Sequence, residues 1–307
     1  MRTTHIAEDL TTTRARFIEE ASSRGQLFIS QPYELYSDAN QQTWRRLYEE
    51  LEPRWRRYAS EGYLDGLDRL ALDPLRIPRL QEVNRFLAPL SGFRARAVSG
   101  YVPVYLFFDC LRRREFPTTI TLREEGKLDY LPEPDIFHDL AGHVPLHTDR
   151  VFADILVRFG EVAHAAALAA GETRDPQKRI HRLESIIKAM ARFFWFTVEF
   201  GIMRRKKGLG FCVYGSGLLS SRLEIEHAVE SPEVQRHPFQ LEWVVNQCFE
   251  IDRFQPLLFV IDSFSQLYEQ VDQLELWVRE GKLDNVSPGE PVVDETDLRS
   301  FLEACEG

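Results

Sequence analysis

Long apolar runs are missing from this sequence. No stretch approaches the roughly 20 apolar residues that a membrane-spanning helix needs. The residues after Met1, RTTHIAEDLTTTRARF, lack the apolar core of a secretory leader. A soluble, cytoplasmic chain is the expectation. Cysteine is scarce too: Cys110, Cys212, Cys248 and Cys305 stand far apart with no CxxC pair. That spacing argues against a disulfide framework or a thiolate zinc site and fits a reducing compartment. Basic residues are outnumbered, 38 against 48 acidic, and the formal net charge of -10 opposes nucleic acid or an anionic membrane as partner. Small-molecule chemistry is the better fit. Repeats and low-complexity linkers are absent, and glycine and proline are scattered as turn punctuation.

What is present is a chain of 307 residues with 44% hydrophobic content, enough to bury the core of one catalytic domain. We place that domain at 41–307, after a polar segment, 1–40, expected to be partly disordered or loosely draped. The class expected is mainly α with minor β. Trp44, Leu47, Tyr48, Leu51, Trp55 and Tyr58 form a helical stripe after the capping residues Ser37 and Asp38. Leu80, Val83, Phe86, Leu87 and Leu90 form another, stopped by Gly92. FRARAV (93–98) and TTITL (118–122) read as a small strand pair around a helix near 104–114. A long helix is expected from Asp175 and Pro176 through Val198, and another after Ser263, where Gln266 completes a capping-box pattern.

Glu199 is the only ionisable side chain between Phe193 and Met203. Desolvating a lone carboxylate costs several kcal/mol unless it is protonated, paired or bound to a metal. Otherwise the helix simply turns it to water. PEPDIFHDLAGHVPLH (132–147) supplies His138, His143 and His147. Pro145 separates the last two and would interrupt a helix between them. Asp135 can cap a short helix containing His138. Five residues at about 100° each put His143 about 140° further round, so the turn at Gly142 must loosen or bend if both imidazoles are to converge. Two imidazoles and one carboxylate form the facial triad of non-haem ferrous oxygenases. The same set holds catalytic zinc, although thermolysin-like hydrolases use H-E-x-x-H and here the spacing is H-x4-H with Asp139 after the first histidine.

PEPDIFHDLAGHVPL, FFWFTVEFG and YGSGLLSS (214–221) resemble, in that order, the pterin-dependent aromatic amino acid hydroxylase family, with weaker similarity from about Ile77 to about Phe264. REFPTTITLREEGKLDYLPEPDIFHD (114–139) is most similar to the short bacterial phenylalanine 4-hydroxylases. His138 lies too near the N-terminus for an animal-like regulatory domain to precede it, and no heptad tail is evident, which is compatible with a monomer. The resemblance implies a single catalytic domain of that family's type, using iron(II), a tetrahydropterin and dioxygen as co-substrate.

It implies His138, His143 and Glu199 as iron ligands, with Ser220 hydrogen-bonded to the first histidine. Arg123 would grip the substrate carboxylate, Asp135 would orient it, and Ser221 would lie near it. Pro134, Trp195, Phe200 and Gly217 would wall the substrate ring. Gly100 with the following turn, Phe107, Asp139 and Ala191 would face the pterin. Without the resemblance, Arg123 is a surface charge, the aromatics are core and the serines are turn residues. Phe194 departs from the family's usual tyrosine, about a dozen extra residues surround HAAALAAGETRD (164–175), and RRKKGLG (204–210) is unusual. Trp195 and the apolar Ile251 favour L-phenylalanine, hydroxylated to L-tyrosine. Tryptophan, meta attack, a zinc hydrolase and a non-catalytic pterin or amino-acid binding protein are the alternatives.

Overall fold

The computed structural model describes residues 10–11, 15–126, 134–206, 210–249, 251 and 253–306. Within the N-terminal segment, α1 (Arg16–Ser23) buries Ile18 and Ala21, and Phe28 bridges to Val98. Helix α2 (Asp38–Tyr58) starts where Ser37 Oγ accepts from Asn40 N–H and the Asn40 side chain accepts from Ser37 N–H. Its stripe of Trp44, Leu47, Leu51, Trp55 and Tyr58 faces inward. Helices α3 (Glu61–Leu70) and α4 (Leu80–Ser91) follow, α4 ending at Gly92 with φ 82°. Phe86, expected in the inward stripe of α4, is instead 49% exposed.

The first sheet departs from the sequence reading. Strand β1 (Arg94–Ala97), helix α5 (Val104–Arg112) and strand β2 (Glu115–Thr118) form a parallel pair with a helical crossover. The second strand is thus EFPT rather than TTITL. Residues 119–122 leave the ladder because their backbone serves other partners: Thr119 N–H donates to Asp139, Ile120 O accepts from Tyr36, Thr121 O accepts from Ile136 N–H, and Leu122 N–H donates to Leu10 O.

A π-turn (His138–His143) runs into α6 (Val144–His147), then α7 (Arg150–Gly171) and α8 (Pro176–Phe194). Helix α8 starts as expected, with the Asp175 side chain accepting from Gln177 and Lys178 N–H. It ends in a second π-turn (Trp195–Glu199). Strands β3 (Ile202–Arg204) and β4 (Phe211–Val213), helices α9 (Ser216–Leu219) and α10 (Arg222–Glu230), strand β5 (Gln235–Pro238), helix α11 (Leu241–Asn246) and strand β6 (Leu257–Ile261) come next. The second sheet has the order β4-β3-β6-β5, with only β3–β4 antiparallel.

Helix α12 (Phe264–Arg279) is capped by Ser263, which accepts from Gln266 N–H. The Gln266 side chain accepts from Asp262 N–H rather than from Ser263, so half of the expected box is displaced by one residue. Helix α13 (Glu295–Glu306) closes the described chain, and α7 is the hub on which α5, α8, α12 and α13 pack. The mainly helical class with minor β is as expected.

Candidate metal centre

The two histidines converge because the backbone between them is not α-helical. A π-turn closes i to i+5 hydrogen bonds, so residues five apart stack on one face. His138 and His143 stand five apart, and their Nε2 atoms are 3.1 Å from each other. Asp135 caps the turn, its Oδ1 accepting from His138 N–H at 2.9 Å. Ala141 O accepts from the Tyr63 hydroxyl at 2.7 Å, and a Cβ on Gly142 would stand 2.9 Å from Ser216 O. Close packing on α9 therefore requires glycine there. His147 takes no part. It is fully buried among Phe93, Phe116 and Phe152, and neither ring nitrogen has a hydrogen-bond partner among the described residues. Burial pushes its pKa down, so it stays neutral.

Glu199 arrives from the second π-turn and is not on a solvated edge. Its Oε1 lies 3.1 Å from His143 Nε2 and its Oε2 lies 3.5 Å from His138 Nε2. Ser216 Oγ donates to Oε2 at 2.8 Å. Ser220 Oγ lies 2.8 Å from His138 Nδ1 and 3.3 Å from Gly217 O. With its one proton directed to Gly217 O, the Ser220 hydroxyl accepts from Nδ1–H and leaves the Nε2 lone pair for the centre. Burial would raise the Glu199 carboxyl, but His143, His138 and Ser216 hold it down at about 2. Burial pushes His138 down to about 4. An ionised carboxylate beside an imidazole with a bare nitrogen is the donor set a divalent cation requires.

Asp139 is a second carboxylate near the histidines, with ligand atoms within 4.8 Å. Its Oδ2, however, accepts from Thr119 N–H at 2.6 Å, and burial pushes its pKa up to about 7. Glu199, ionised and within 3.1 and 3.5 Å of the two ring nitrogens, is the stronger candidate for a third donor.

Arg123 and Asp135 form a fork, Nε to Oδ2 at 2.7 Å and Nη2 to Oδ1 at 2.9 Å, with both side chains 3% exposed. Arg123 Nη1 also donates to Ser220 O at 3.3 Å. The guanidinium is thereby tied to both the first histidine's cap and its serine. Arg123, His138 and Glu199 line a cavity of about 340 Å³ with Pro134, Ala191, Trp195, Phe200, Gly217, Ser220, Ser221 and Phe107. Gly100, Asp135, Asp139 and His143 are not on its lining, whereas Tyr101, Val102 and Val104, just after Gly100, are. A Cβ at Gly217 would stand 2.9 Å from the Phe200 ring, so the tight wall there requires glycine.

Sequence reasoning missed Phe249. Its ring stacks on Trp195 at 4.1 Å and 7°, while Phe200 lies 4.4 Å away on the same indole. Trp195 Nε1 donates to Gln255 Oε1 at 3.1 Å. Nothing periodic around NQCFE marks Phe249. Phe194 lies among Phe107, Phe108 and Phe159, an apolar box in which a phenol would need a partner.

A family model described as biopterin-dependent aromatic amino acid hydroxylase matches residues 12–280. The phenylalanine-4-hydroxylase of Caulobacter vibrioides is 40% identical over 241 residues, covering 78% of this chain and 76% of that protein. Its Chromobacterium violaceum counterpart is 38% identical over 242 residues, covering 78% and 75%. A solved structure of the C. violaceum enzyme, with bound iron(III) and 7,8-dihydrobiopterin, aligns with a TM-score of 0.72 at 35% identity, covering 85% of this chain and 91% of that one. The chain belongs to the biopterin-dependent aromatic amino acid hydroxylase family. Among the described residues, no helix is long and apolar enough to cross a membrane.

Proposed function

We propose that this protein is an iron(II)- and tetrahydropterin-dependent monooxygenase that converts L-phenylalanine and dioxygen to L-tyrosine. Residues 41–307 would form its catalytic domain, working in the cytoplasm. The observation that carries the reading is the convergence of His138, His143 and Glu199, of which His138 and Glu199 line an aromatic-walled cavity that also reaches Arg123 of the Arg123–Asp135 fork. The Caulobacter vibrioides and Chromobacterium violaceum relatives are both named phenylalanine-4-hydroxylases, which favours the same substrate.

In this reading His138, His143 and Glu199 hold the iron from one side. When bound, iron would activate dioxygen and the tetrahydropterin would supply two electrons, so that one oxygen atom enters the ring and the other leaves as water. The chain supplies placement. Arg123, fixed by Asp135, meets the substrate carboxylate, with Ser221 beside it. Pro134, Trp195, Phe200 and Gly217 hold the aromatic ring next to the metal face, so the position attacked follows from distance rather than from an acid or base. Phe107, Ala191 and the turn after Gly100 would serve the pterin, whereas Asp139, off the lining and held by Thr119 N–H, would not meet it directly. Ser220 keeps the His138 ring from rotating. Aerobic turnover of phenylalanine, tyrosine and tryptophan with iron(II) and a tetrahydropterin tests the proposal, with ring position read by NMR. Para-tyrosine from phenylalanine as the main product is the expected result; product from tryptophan alone, or meta-tyrosine, would overturn the assignment.

A further inference from the structure

One wall of the cavity is Tyr101, Val102, Val104 and Phe107, from the loop after Gly100 and the first turns of α5. Local sequence holds this wall poorly. The first N–H groups of a helix have no partner within it, and Pro103, which precedes α5, supplies no side-chain cap. The partners come from α13, almost 200 residues later. Asp297 Oδ1 accepts from Val104 N–H at 2.9 Å and from the Tyr101 hydroxyl at 2.6 Å. Ser300 Oγ takes Tyr105 N–H at 3.4 Å while donating to Asp297 O at 2.7 Å. Phe301, fully buried, packs edge-on against the Tyr105 ring at 5.1 Å. Asp297 itself is only 8% exposed, although the Tyr101 ring it holds is 65% exposed. The family model's match ends at residue 280, before α13 begins.

We infer that Asp297 is a positioning residue for the cofactor side of the cavity: by capping α5 from outside and tethering Tyr101, it sets the affinity of this wall for the flat pterin ring. The inference rests on the proposed function in taking the pterin as the occupant of this wall. A wall that is already ordered loses little conformational freedom when a ligand binds, whereas one that must be ordered on binding gives part of the interaction away. The metal ligands have their own partners, so iron content and the Michaelis constant for phenylalanine do not depend on Asp297.

The test uses the full chain. In the ligand-free protein, amide hydrogen exchange over 101–108 is compared for wild type, Asp297→Ala, Asp297→Asn and Tyr101→Phe. Calorimetry then gives the dissociation constant for 7,8-dihydrobiopterin, and steady-state kinetics give KM for the tetrahydropterin and kcat. Asp297→Ala is expected to speed exchange at Val104 and Tyr105. It should weaken pterin binding about tenfold, the scale of a lost helix cap, with kcat changed less than KM. Asp297→Asn, whose amide oxygen can accept both bonds, should restore most of the affinity, and Tyr101→Phe, which removes one bond of the two, should fall between. If Asp297→Ala does not fold, Tyr101→Phe and Asp297→Asn decide: the former equal to wild type in both exchange and affinity overturns the inference. A wild type that binds no dihydrobiopterin would count against the proposed function, whereas a wild type that binds it no better than a folded Asp297→Ala would overturn the role of α13 alone.

Discussion

The metal side of the cavity and its ring-facing wall are built on different physics. On the metal side almost every polar group has a short, directional partner: His138 with Ser220, Glu199 with Ser216, Arg123 with Asp135, Ala141 O with Tyr63. The wall is two aromatic clusters, Trp195 with Phe200 and Phe249, and Phe107 with Phe194, with Trp195 Nε1 to Gln255 as one of its few polar ties. Unpaired charge in a low-dielectric site is costly, so the polar half tolerates little change. Apolar contacts are non-directional and can repack, so the ring half should shift preference before it loses function.

The sharpest test of that contrast is Glu199→Ala. Iron affinity should fall by at least the 10- to 100-fold seen when support to a metal site is lost, and turnover should fall with it. The far-ultraviolet dichroism should stay, because removing a buried carboxylate also removes its desolvation penalty. Purified variant with stoichiometric iron and full turnover would show that the convergence of Glu199 on the histidines has no function.

Arg123→Lys comes next in size. Lysine keeps the charge but cannot make the fork to Asp135. We expect kcat/KM for phenylalanine to drop on the order of 100-fold at normal iron content, nearly as far as in Arg123→Ala. Wild type should discriminate strongly against phenethylamine, which lacks the carboxylate. If Arg123→Ala keeps the same preference for phenylalanine over phenethylamine, the guanidinium orients Asp135 and does not touch substrate.

The metal half was also the legible half. Its candidate ligands sit in two short blocks, and a charge inside FFWFTVEFGIM or three histidines within ten residues are anomalies that a sequence displays. On the sequence alone, convergence of His138 and His143 needs a departure from the α-helix near Gly142, and the π-turn is that departure. The wall could not be read the same way. Phe249 meets Trp195 across 54 positions, and Asp297 meets Tyr101 across 196, and neither pairing leaves a periodic or spacing signal. The strand misplaced at TTITL failed for a related reason: β-branched composition states what could pair, while the backbone partners of residues 119–122 are decided by chain segments far away.

Glu224 is the exception that can break the contrast. It stands in the first turn of α10, close in sequence to Ser220 and Ser221, 2% exposed, and neither carboxylate oxygen has a hydrogen-bond partner among the described residues. Burial raises its pKa from 4.5 to about 8. Between those values the folded state holds a proton that the unfolded state has released, so stability is fully present below about pH 4.5 and is lost as pH rises through about 8. Urea unfolding at about pH 6 and about pH 8.5 should differ by a few kcal/mol at most from this group, with the alkaline sample weaker. Glu224→Gln should remove most of that difference. An unchanged slope in the variant would mean that the carboxyl is solvated in solution.

The smallest effect belongs to the ring half, at Trp195. Its indole is held between Phe200 and Phe249 and anchored by Gln255, so Trp195→Phe removes part of a stacked wall and one hydrogen bond without exposing a charge. The cavity gains room next to the substrate ring. Edits of an apolar pocket change discrimination by about 1 to 3 kcal/mol, so the ratio of kcat/KM for phenylalanine over tryptophan should fall roughly tenfold, with iron content unaltered. Gln255 loses its donor but sits at 5% exposure beside the chain that carries Arg253, so some loss of thermal stability should accompany the shift. Competition between the two amino acids in a single reaction measures the ratio directly, free of differences in active fraction. If the ratio stays at its wild-type value while Tm drops, Trp195 is a packing residue of the wall and preference is set elsewhere, with Ile251 at the same cavity the next position to change.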